Sequence, residues 1–459
     1  MSRFSIPPEL LARYDVSAPR YTSYPPIPYW PQAGEAEWRR WIHEPLAAPD
    51  PSLSLYVHIP FCRSRCFYCG CFVIITSKQD EAERYAQTVC REMGLARANF
   101  AAEAPVRQFH IGGGTPTFVS MQALASLAET ARSLFPFAEG AEMSIEVDPR
   151  TVDAGQLGTL RGMGFNRVSF GVQDFDETVQ RTVNRWQPYD LVERVTEAAR
   201  ALGYQSVNMD LIYGLPHQTQ ASFAATLEQI RRLRPHRIAL YNYAHLPEVM
   251  PYQRRFDPES LPDRDEKLAI FLLARERLTD WGYVPIGLDH FALPEDDLTR
   301  AWQDGTMQRN FMGYTTMAGS DLLAFGISAI SDCNGAFWQN EKKLNRYDQC
   351  IAEGKPPLIR GIKLDADDRI RKAAIAGLFC GGRIDFAALA RDFAIDPRAY
   401  FAAEWEALAP LEADGLVERG ESGVRITERG QFFLRNIAVV FDAWQRREAQ
   451  APRKFSRTV

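Results

Sequence analysis

Four of the eight cysteines fall within one short segment, Cys62-Arg-Ser-Arg-Cys66-Phe-Tyr-Cys69-Gly-Cys71. Thiolates ligate metals and carry redox chemistry, and a C-x3-C-x2-C spacing lets three of them meet one small cluster from a single tight loop. A [4Fe–4S] cluster held by Cys62, Cys66 and Cys69 keeps one of its four irons open to a further ligand. Arg63 and Arg65 stand beside the thiolates and offset their charge. A structural zinc site takes two separated ligand pairs that close a tetrahedron, and no second pair stands at such a spacing here. Cys71 stays open between fourth ligand, hydrogen donor and packing residue. Cys90, Cys333, Cys350 and Cys380 are isolated in sequence and read as inert thiols.

The remaining chemistry-bearing residues share a placement. Short apolar runs at 53–59, 106–111, 142–147, 167–172, 206–212 and 237–241 alternate with amphipathic segments such as 80–98, 121–134, 189–202 and 221–233. Six strand–helix units in series predict a parallel α/β sheet with right-handed crossovers. The polar residues come just after the strands: the cysteine loop after the first, Gly112-Gly113-Gly114-Thr115-Pro116 after the second, Glu146 and Asp148 at the third, Gln173-Asp174 at the fourth, Asp210 at the fifth, and Asn242-Tyr243-Ala244-His245 after the sixth. In a (β/α) barrel these positions share the C-terminal face, where active sites lie. A partial (β/α)6 TIM-like barrel is therefore the expected fold, and residues 283–288 are expected to add a strand. On the first strand Tyr56 and His58 are two apart, so they point together into the barrel. Gly112–Gly114 can bring backbone close to a ligand, although Thr117 breaks a dinucleotide-binding fingerprint.

Composition excludes several classes. Hydrophobic residues make up 46% and charged residues 24%, as in a folded globular protein. A net charge of −5 argues against non-specific nucleic-acid binding. No apolar run approaches the roughly 20 residues of a membrane span, and Met1–Pro8 has no signal-peptide core, so a cytoplasmic protein is expected. Residues 1–50 read as an arm without a long helix, in which Pro19–Pro26 is rich in aromatics and proline and docks on the main domain. Residues 51–360 form the catalytic domain with an extension. Residues 361–459 form a mainly helical, winged-helix-like C-terminal domain, with helices at 367–379, 386–392, 397–413 and 429–446 around a short β-ribbon. No coiled coil argues for more than a monomer.

C-x3-C-x2-C after the first strand of such a barrel resembles the radical S-adenosylmethionine enzymes. Tyr56-Val-His58-Ile-Pro60-Phe-Cys62, Gly112–Thr117, Glu146-Val-Asp148-Pro149, Gly171-Val-Gln173-Asp174, Asn184-Arg185, Asp210–Pro216, Arg309–Thr315 and the closing Phe455-Ser-Arg457 resemble one family among them, the oxygen-independent coproporphyrinogen III oxidases. The resemblance covers essentially the whole chain. It implies that S-adenosylmethionine chelates the open iron and, on receiving an electron, yields a 5′-deoxyadenosyl radical. It implies ligand contacts at Tyr56, Tyr68, Gly113, Gly114, Thr115, Glu146, Gln173, Arg185, Asp210, Ala244 and Ile330. Tyr56, His58, Cys71 and Glu146 become the catalytic candidates. The implied substrate is a porphyrinogen with four propionates, for which Arg20, Tyr21, Tyr24, Phe311 and Tyr314 are candidate contacts. The implied electron source is a reduced flavodoxin- or ferredoxin-like protein. A haem-binding chaperone of the same superfamily is the alternative, against which Cys71, the arm and the long C-terminal domain weigh.

Overall fold

The computed structural model describes residues 6–46, 48, 50–447 and 455–458; the reading of Met1–Ser5 lies outside them. The six expected strands are present as β1 (Ser52–Ile59), β2 (Val106–Gly113), β3 (Phe137–Val147), β4 (Arg167–Gln173), β5 (Ser206–Tyr213) and β6 (Arg237–Asn242), parallel and adjacent in that order. Between them run α1 (Gln79–Asn99), α2 (Met121–Leu134), α3 (Ala154–Gly162), α4 (Tyr189–Ala201) and α5 (Gln220–Leu233), with α6 (Arg264–Asp280) after β6. The strands form because β-branched and aromatic residues alternate between two buried surfaces. Leu55, Val57 and Ile59 of β1 are fully buried in the main core. Several helices begin where a side chain can take an unpaired N–H: Ser120 accepts from Ala123 at α2, Asp153 from Gln156 at α3 and Thr219 from Ser222 at α5.

The sheet extends beyond the six strands on both edges. At β6 it gains an antiparallel hairpin, β7 (Val284–Ile286) and β8 (His290–Ala292), so the expected strand at 283–288 is shorter and one of a pair. At β1 a seventh parallel strand, β9 (Ser320–Phe325), joins, followed by antiparallel β10 (Ile330–Cys333), β11 (Ala336–Asn340) and β12 (Leu358–Lys363). This edge was not anticipated from sequence. No helical crossover announces β9, and its apolar run is only Leu322–Phe325.

The N-terminal arm is built into two cores. Trp38, Trp41 and Ile42 of helix Glu35–His43 are buried in the main core, and Gly361 of β12 leaves room for the Trp41 ring: a Cβ there would stand 2.5 Å from it. Leu10, Leu11, Tyr21 and Tyr24 belong to the C-terminal core with Ile375, Leu378 and Phe433. Two predicted C-terminal helices are broken. Residues 397–413 fall into Pro397–Tyr400, Ala402–Ala407 and Ala409–Ala413, the last with Pro410 in its first turn. Residues 429–446 stop at Val439 and resume at Ala443, because buried Asp442 turns to accept from Gln445 N and Tyr21 Oη. Arg383–Asp385, Gly423–Ile426 and Val417–Gly420 make the ribbon a three-stranded sheet.

One buried cluster ties α1 to the strand ends that carry the site. Tyr85 Oη donates to His58 O (2.7 Å) and accepts from Ile327 N (2.9 Å). Glu92 accepts from Gly326 N (2.7 Å), Asn340 Nδ2 (2.6 Å) and Tyr347 Oη (2.5 Å). Burial, working against these three donors, pushes its carboxyl up to about 7. The folded state thus favours the protonated form. The stabilisation this lends is complete below about 4.5 and is lost as pH rises to about 7, a change of about 3 kcal/mol. Glu92→Gln should remove that slope from urea unfolding measured across pH 4.5–7.5. Glu92→Ala, which orphans three donors, should lower stability by about 3 kcal/mol at pH 4.5 and by progressively less as pH rises to 7.

Candidate active site

The cysteine loop is held on all sides by backbone. Gly114 N donates to Ile59 O (2.8 Å) and Thr115 N to Phe61 O (2.9 Å), which lays the turn after β2 against the start of the loop. Ile74 N to Pro60 O (2.7 Å) and Thr76 N to Cys62 O (3.1 Å) secure its return. Phe67 N donates to Val183 O (3.0 Å) and Asn184 Nδ2 to Arg65 O (2.9 Å), so the segment after β4 grips its outer side. The Arg65 guanidinium lies 4.6 Å from the Tyr252 ring centroid, and Tyr252 Oη donates to Cys69 O.

Glycine is required at this contact. A Cβ on Gly114 would stand 2.8 Å from the backbone of Pro60, and one on Gly113 would stand 2.6 Å from the His58 ring. Gly113 also sits at φ +120°, a region L side chains avoid.

The loop faces an open cavity of about 680 Å³ at the C-terminal ends of the strands. Cys62, Cys66, Tyr68, Cys69, Cys71, Gly113, Gly114, Thr115, Glu146, Gln173, Arg185 and Asp210 all line it. Ala244 does not; it lines a neighbouring cavity at the rim after β6. Ile330 does not either; it packs with Trp30, Phe337 and Ile362 on the β9–β12 extension.

Tyr56 and His58 sit behind the lining. Tyr56 Oη and His58 Nδ1 are 3.0 Å apart, and His58 Nε2 lies 3.0 Å from Phe72 O, just past Cys71. Tyr56 stacks on His110 at 5.7 Å.

Charge in the cavity is arranged in two groups. Beside the thiols, Arg185 Nη1 donates to Cys66 Sγ (3.5 Å) and Asp148 Oδ2 (3.2 Å), and Nη2 to Gly171 O (2.7 Å). Although burial works the other way, Arg185 and Arg150 hold the Asp148 carboxyl down at about 2. Thr115 Oγ1 is 3.4 Å from Cys62 Sγ. Across the cavity, Glu146 accepts from Gly113 N (2.9 Å) and lies 3.4 Å from His110 Nε2. Against the pull of burial, His110 and the Gly113 amide keep its carboxyl low. Burial and the charge of Glu146 push Asp210 up to about 6, while Asn208 Nδ2 donates to it at 2.9 Å. The Glu146 side chain is 43% exposed although it lies deep in the barrel, because the cavity itself bares it.

His110, Ser144, Ser169 and Asn208 were not singled out from sequence. They form a polar ladder on the barrel floor: His110 Nδ1 to Ser144 Oγ 2.7 Å, Asn208 Nδ2 to Ser169 Oγ 2.7 Å. Their signal was a polar residue at every second position of an apolar run, in phase with Glu146 and Asp210.

The residues present suit an iron–sulfur cluster. Three thiols from one loop share a cavity with a buried guanidinium, and Arg185 Nε is buried there without a partner. Among the described residues no three Cys, His, Asp or Glu side chains converge as the ligands of a single ion do. A cuboidal cluster takes its thiolates at separate corners and needs no such convergence. Gly114→Ala should displace Pro60–Phe61 and with them Cys62. Iron bound after anaerobic reconstitution should fall below half that of the unaltered chain, by iron and sulfide analysis.

Residues 56–230 match the Radical SAM superfamily and residues 364–433 match the HemN C-terminal domain. The chain is 42% identical to the oxygen-independent coproporphyrinogen III oxidase of Salmonella typhimurium over 98% of both chains. It is also 42% identical to that of Pseudomonas aeruginosa over 95% of both. A solved structure, described as coproporphyrinogen III oxidase (HemN) from Escherichia coli, a radical SAM enzyme, superposes with a TM-score of 0.89. It is 42% identical and covers 93% of this chain and 97% of that one. The chain belongs to the oxygen-independent coproporphyrinogen III oxidases of the radical S-adenosylmethionine superfamily.

Proposed function

We infer that this chain decarboxylates two propionates of coproporphyrinogen III oxidatively, without oxygen, to give protoporphyrinogen IX in porphyrin and haem biosynthesis. The observation that carries the reading is the shared cavity: three cysteine thiols, a glycine turn without side chains, and Glu146, Gln173, Arg185 and Asp210, all at the ends of parallel strands. A [4Fe–4S] cluster and S-adenosylmethionine, when bound, supply a carbon-centred radical able to take hydrogen from an unactivated C–H bond.

Cys62, Cys66 and Cys69 hold the cluster, and Arg185 offsets its charge. Gly113 and Gly114, whose N–H groups are taken by Glu146 and Ile59, lack side chains and so let backbone carbonyls beside Thr115 approach the ammonium end of S-adenosylmethionine. Glu146, kept ionised by His110, suits a ligand ammonium; Asp210 and Gln173 suit hydroxyls. Tyr68 closes the cavity beside Cys66. Ala244 and Ile330 act on the ligand only at the rim or through packing, given where they lie. The Tyr56–His58–Phe72 chain fixes the backbone next to Cys71 and places that thiol at the cavity, available as a hydrogen donor.

Each decarboxylation removes a hydrogen atom from the propionate β-carbon, carbon dioxide and one electron, so an external acceptor is needed. A reduced flavodoxin- or ferredoxin-like protein is the electron donor, and the protein works as a cytoplasmic monomer. No helix among the described residues is long and apolar enough to cross a membrane.

An anaerobic assay with reconstituted, reduced protein, S-adenosylmethionine and coproporphyrinogen III tests the reading. Mass spectrometry should show loss of two carboxyl groups and formation of 5′-deoxyadenosine, both absent in Cys66→Ser. Deoxyadenosine without any change in the tetrapyrrole would reject the substrate. Stoichiometric haem binding with neither product would favour the chaperone alternative. Glu146→Ala should keep its iron yet bind S-adenosylmethionine at least tenfold more weakly in equilibrium dialysis.

A further inference from the structure

Outside the barrel wall, beyond the rim after β6, a second cavity lies between α6, the C-terminal domain and the N-terminal arm. Its walls are apolar: Leu240, Leu268, Phe271, Leu288 and Phe432, with Leu11 from the arm. Into it project Arg20, Lys267 and Arg435. No ion pair joins any of these three to a carboxylate among the described residues; their recorded partners are carbonyl oxygens and one hydroxyl. Arg20 Nη2 donates to Asn242 O (3.0 Å) and Lys267 Nζ to Tyr243 O (3.2 Å). Arg435, 4% exposed, donates to the carbonyls of Ala18, Pro19, Ser456 and Arg457 and to Ser456 Oγ. Of the carboxylates nearby, Asp289 lines the cavity but pairs with His290 (2.7 Å), and Asp15 pairs through Oδ2 with Arg457 (2.8 Å) while its Oδ1 is buried without a partner.

Clustered cations in a partly buried, apolar space repel one another and lose hydration. The effect is visible here: burial, then Arg20, pushes Lys267 down to about 8, and the same two causes push Arg435 to about 9. An anion in the cavity would relieve all three.

The apolar walls and the single recorded acceptor of Lys267 Nζ select the anion. They suit a carboxylate on a short alkyl arm better than a hydrated inorganic ion. The cavity also adjoins the rim. Arg20, Asn242, Arg264 and Lys267 line both it and the cavity that contains Ala244 and His245. We propose that Arg20, Lys267 and Arg435 form a carboxylate subsite, which holds a propionate that the reaction leaves intact. The proposal rests on the functional reading above. The chemistry calls for such a contact, because two of four propionates survive and only an unchanged carboxylate can anchor the macrocycle through both steps. Arg20 comes from the arm, so an occupied subsite also pins the arm against the barrel.

The test uses iron-free protein and coproporphyrin III, the stable oxidised tetrapyrrole, followed by quenching of tryptophan fluorescence. Lys267→Met and Arg20→Gln should each weaken binding about tenfold, and Lys267→Arg should restore it. Coproporphyrin III tetramethyl ester should bind the unaltered chain and both neutral variants equally, which also shows that the variants are folded. In turnover, KM for coproporphyrinogen III should rise about tenfold with kcat within twofold. Neutral variants that bind coproporphyrin III as tightly as the unaltered chain would overturn the subsite alone, even if they lose affinity for a simple carboxylate such as butyrate. An unaltered chain that neither binds nor converts the tetrapyrrole would overturn the functional reading, and the subsite with it.

Discussion

The contact between Arg185 and Asp148 beneath Cys66 is the interaction on which the site depends. A guanidinium buried beside thiols is costly alone, and a carboxylate buried beside them is worse. Together, with Gly171 O and Arg150 adding hydrogen bonds, the two charges are compensated, and only Arg185 Nε is left without a partner. Removing one partner of a buried pair commonly costs about 3–5 kcal/mol, because the other charge stays behind unpaired. Arg185 has a second duty. Its Nη1 also reaches Cys66 Sγ, so the pair is poised for negative charge to gather on the loop. Asp148 follows β3, Gly171 lies on β4 and Arg185 follows β4, so the pair also ties the ends of β3 and β4 to each other.

The second constraint is steric. The β2 turn must lie so close to Pro60 and Phe61 that no Cβ fits at Gly114. Only then do its N–H groups bond the carbonyls of Ile59 and Phe61 and hold Cys62 over the strand ends. Tyr85 and Glu92 continue the same support from behind, tying α1 to the ends of β1 and β9. Much of the molecule's rigidity is thus spent on a loop that, on its own, has almost no regular structure.

Sequence made the barrel legible for a physical reason. β1 to β6 are buried on both faces, so each appears as an apolar run, and the helices between them show their own period. The site was legible because strand ends gather on one face, which brought Glu146, Gln173 and Asp210 to the cysteines without any long-range information, while Arg185 came by resemblance. What escaped was whatever depends on partners distant in sequence. β9 pairs with β1 across more than 250 residues and carries only a four-residue apolar run. His110, Ser144, Ser169 and Asn208 are ordinary polar residues until the sheet's register lines them up. Residues 429–446 have helical periodicity, but the break at Asp442 is dictated by Tyr21, more than 400 residues earlier. Ala244 and Ile330 came by resemblance alone, and their places at the rim and on the extension had no local signature.

The arm shows why the chain does not divide into a catalytic barrel and an accessory tail. Leu10, Leu11, Tyr21 and Tyr24 complete the C-terminal core, while Trp38 and Trp41 complete that of the barrel. Arg435 clasps the backbone at Ala18, Pro19, Ser456 and Arg457, and Ser17 bridges to Arg457, so both chain ends are knotted to one guanidinium. Deleting the arm would therefore remove core residues from two places at once, and a loss of activity would say little about chemistry. The same knot aims Arg20 toward the strand ends, where it donates to Asn242 O at the tip of β6. Packing that looks purely architectural at Tyr21 and Arg435 thus decides where a charge stands at the mouth of the barrel. This is how a segment with no chemistry of its own comes to shape the site.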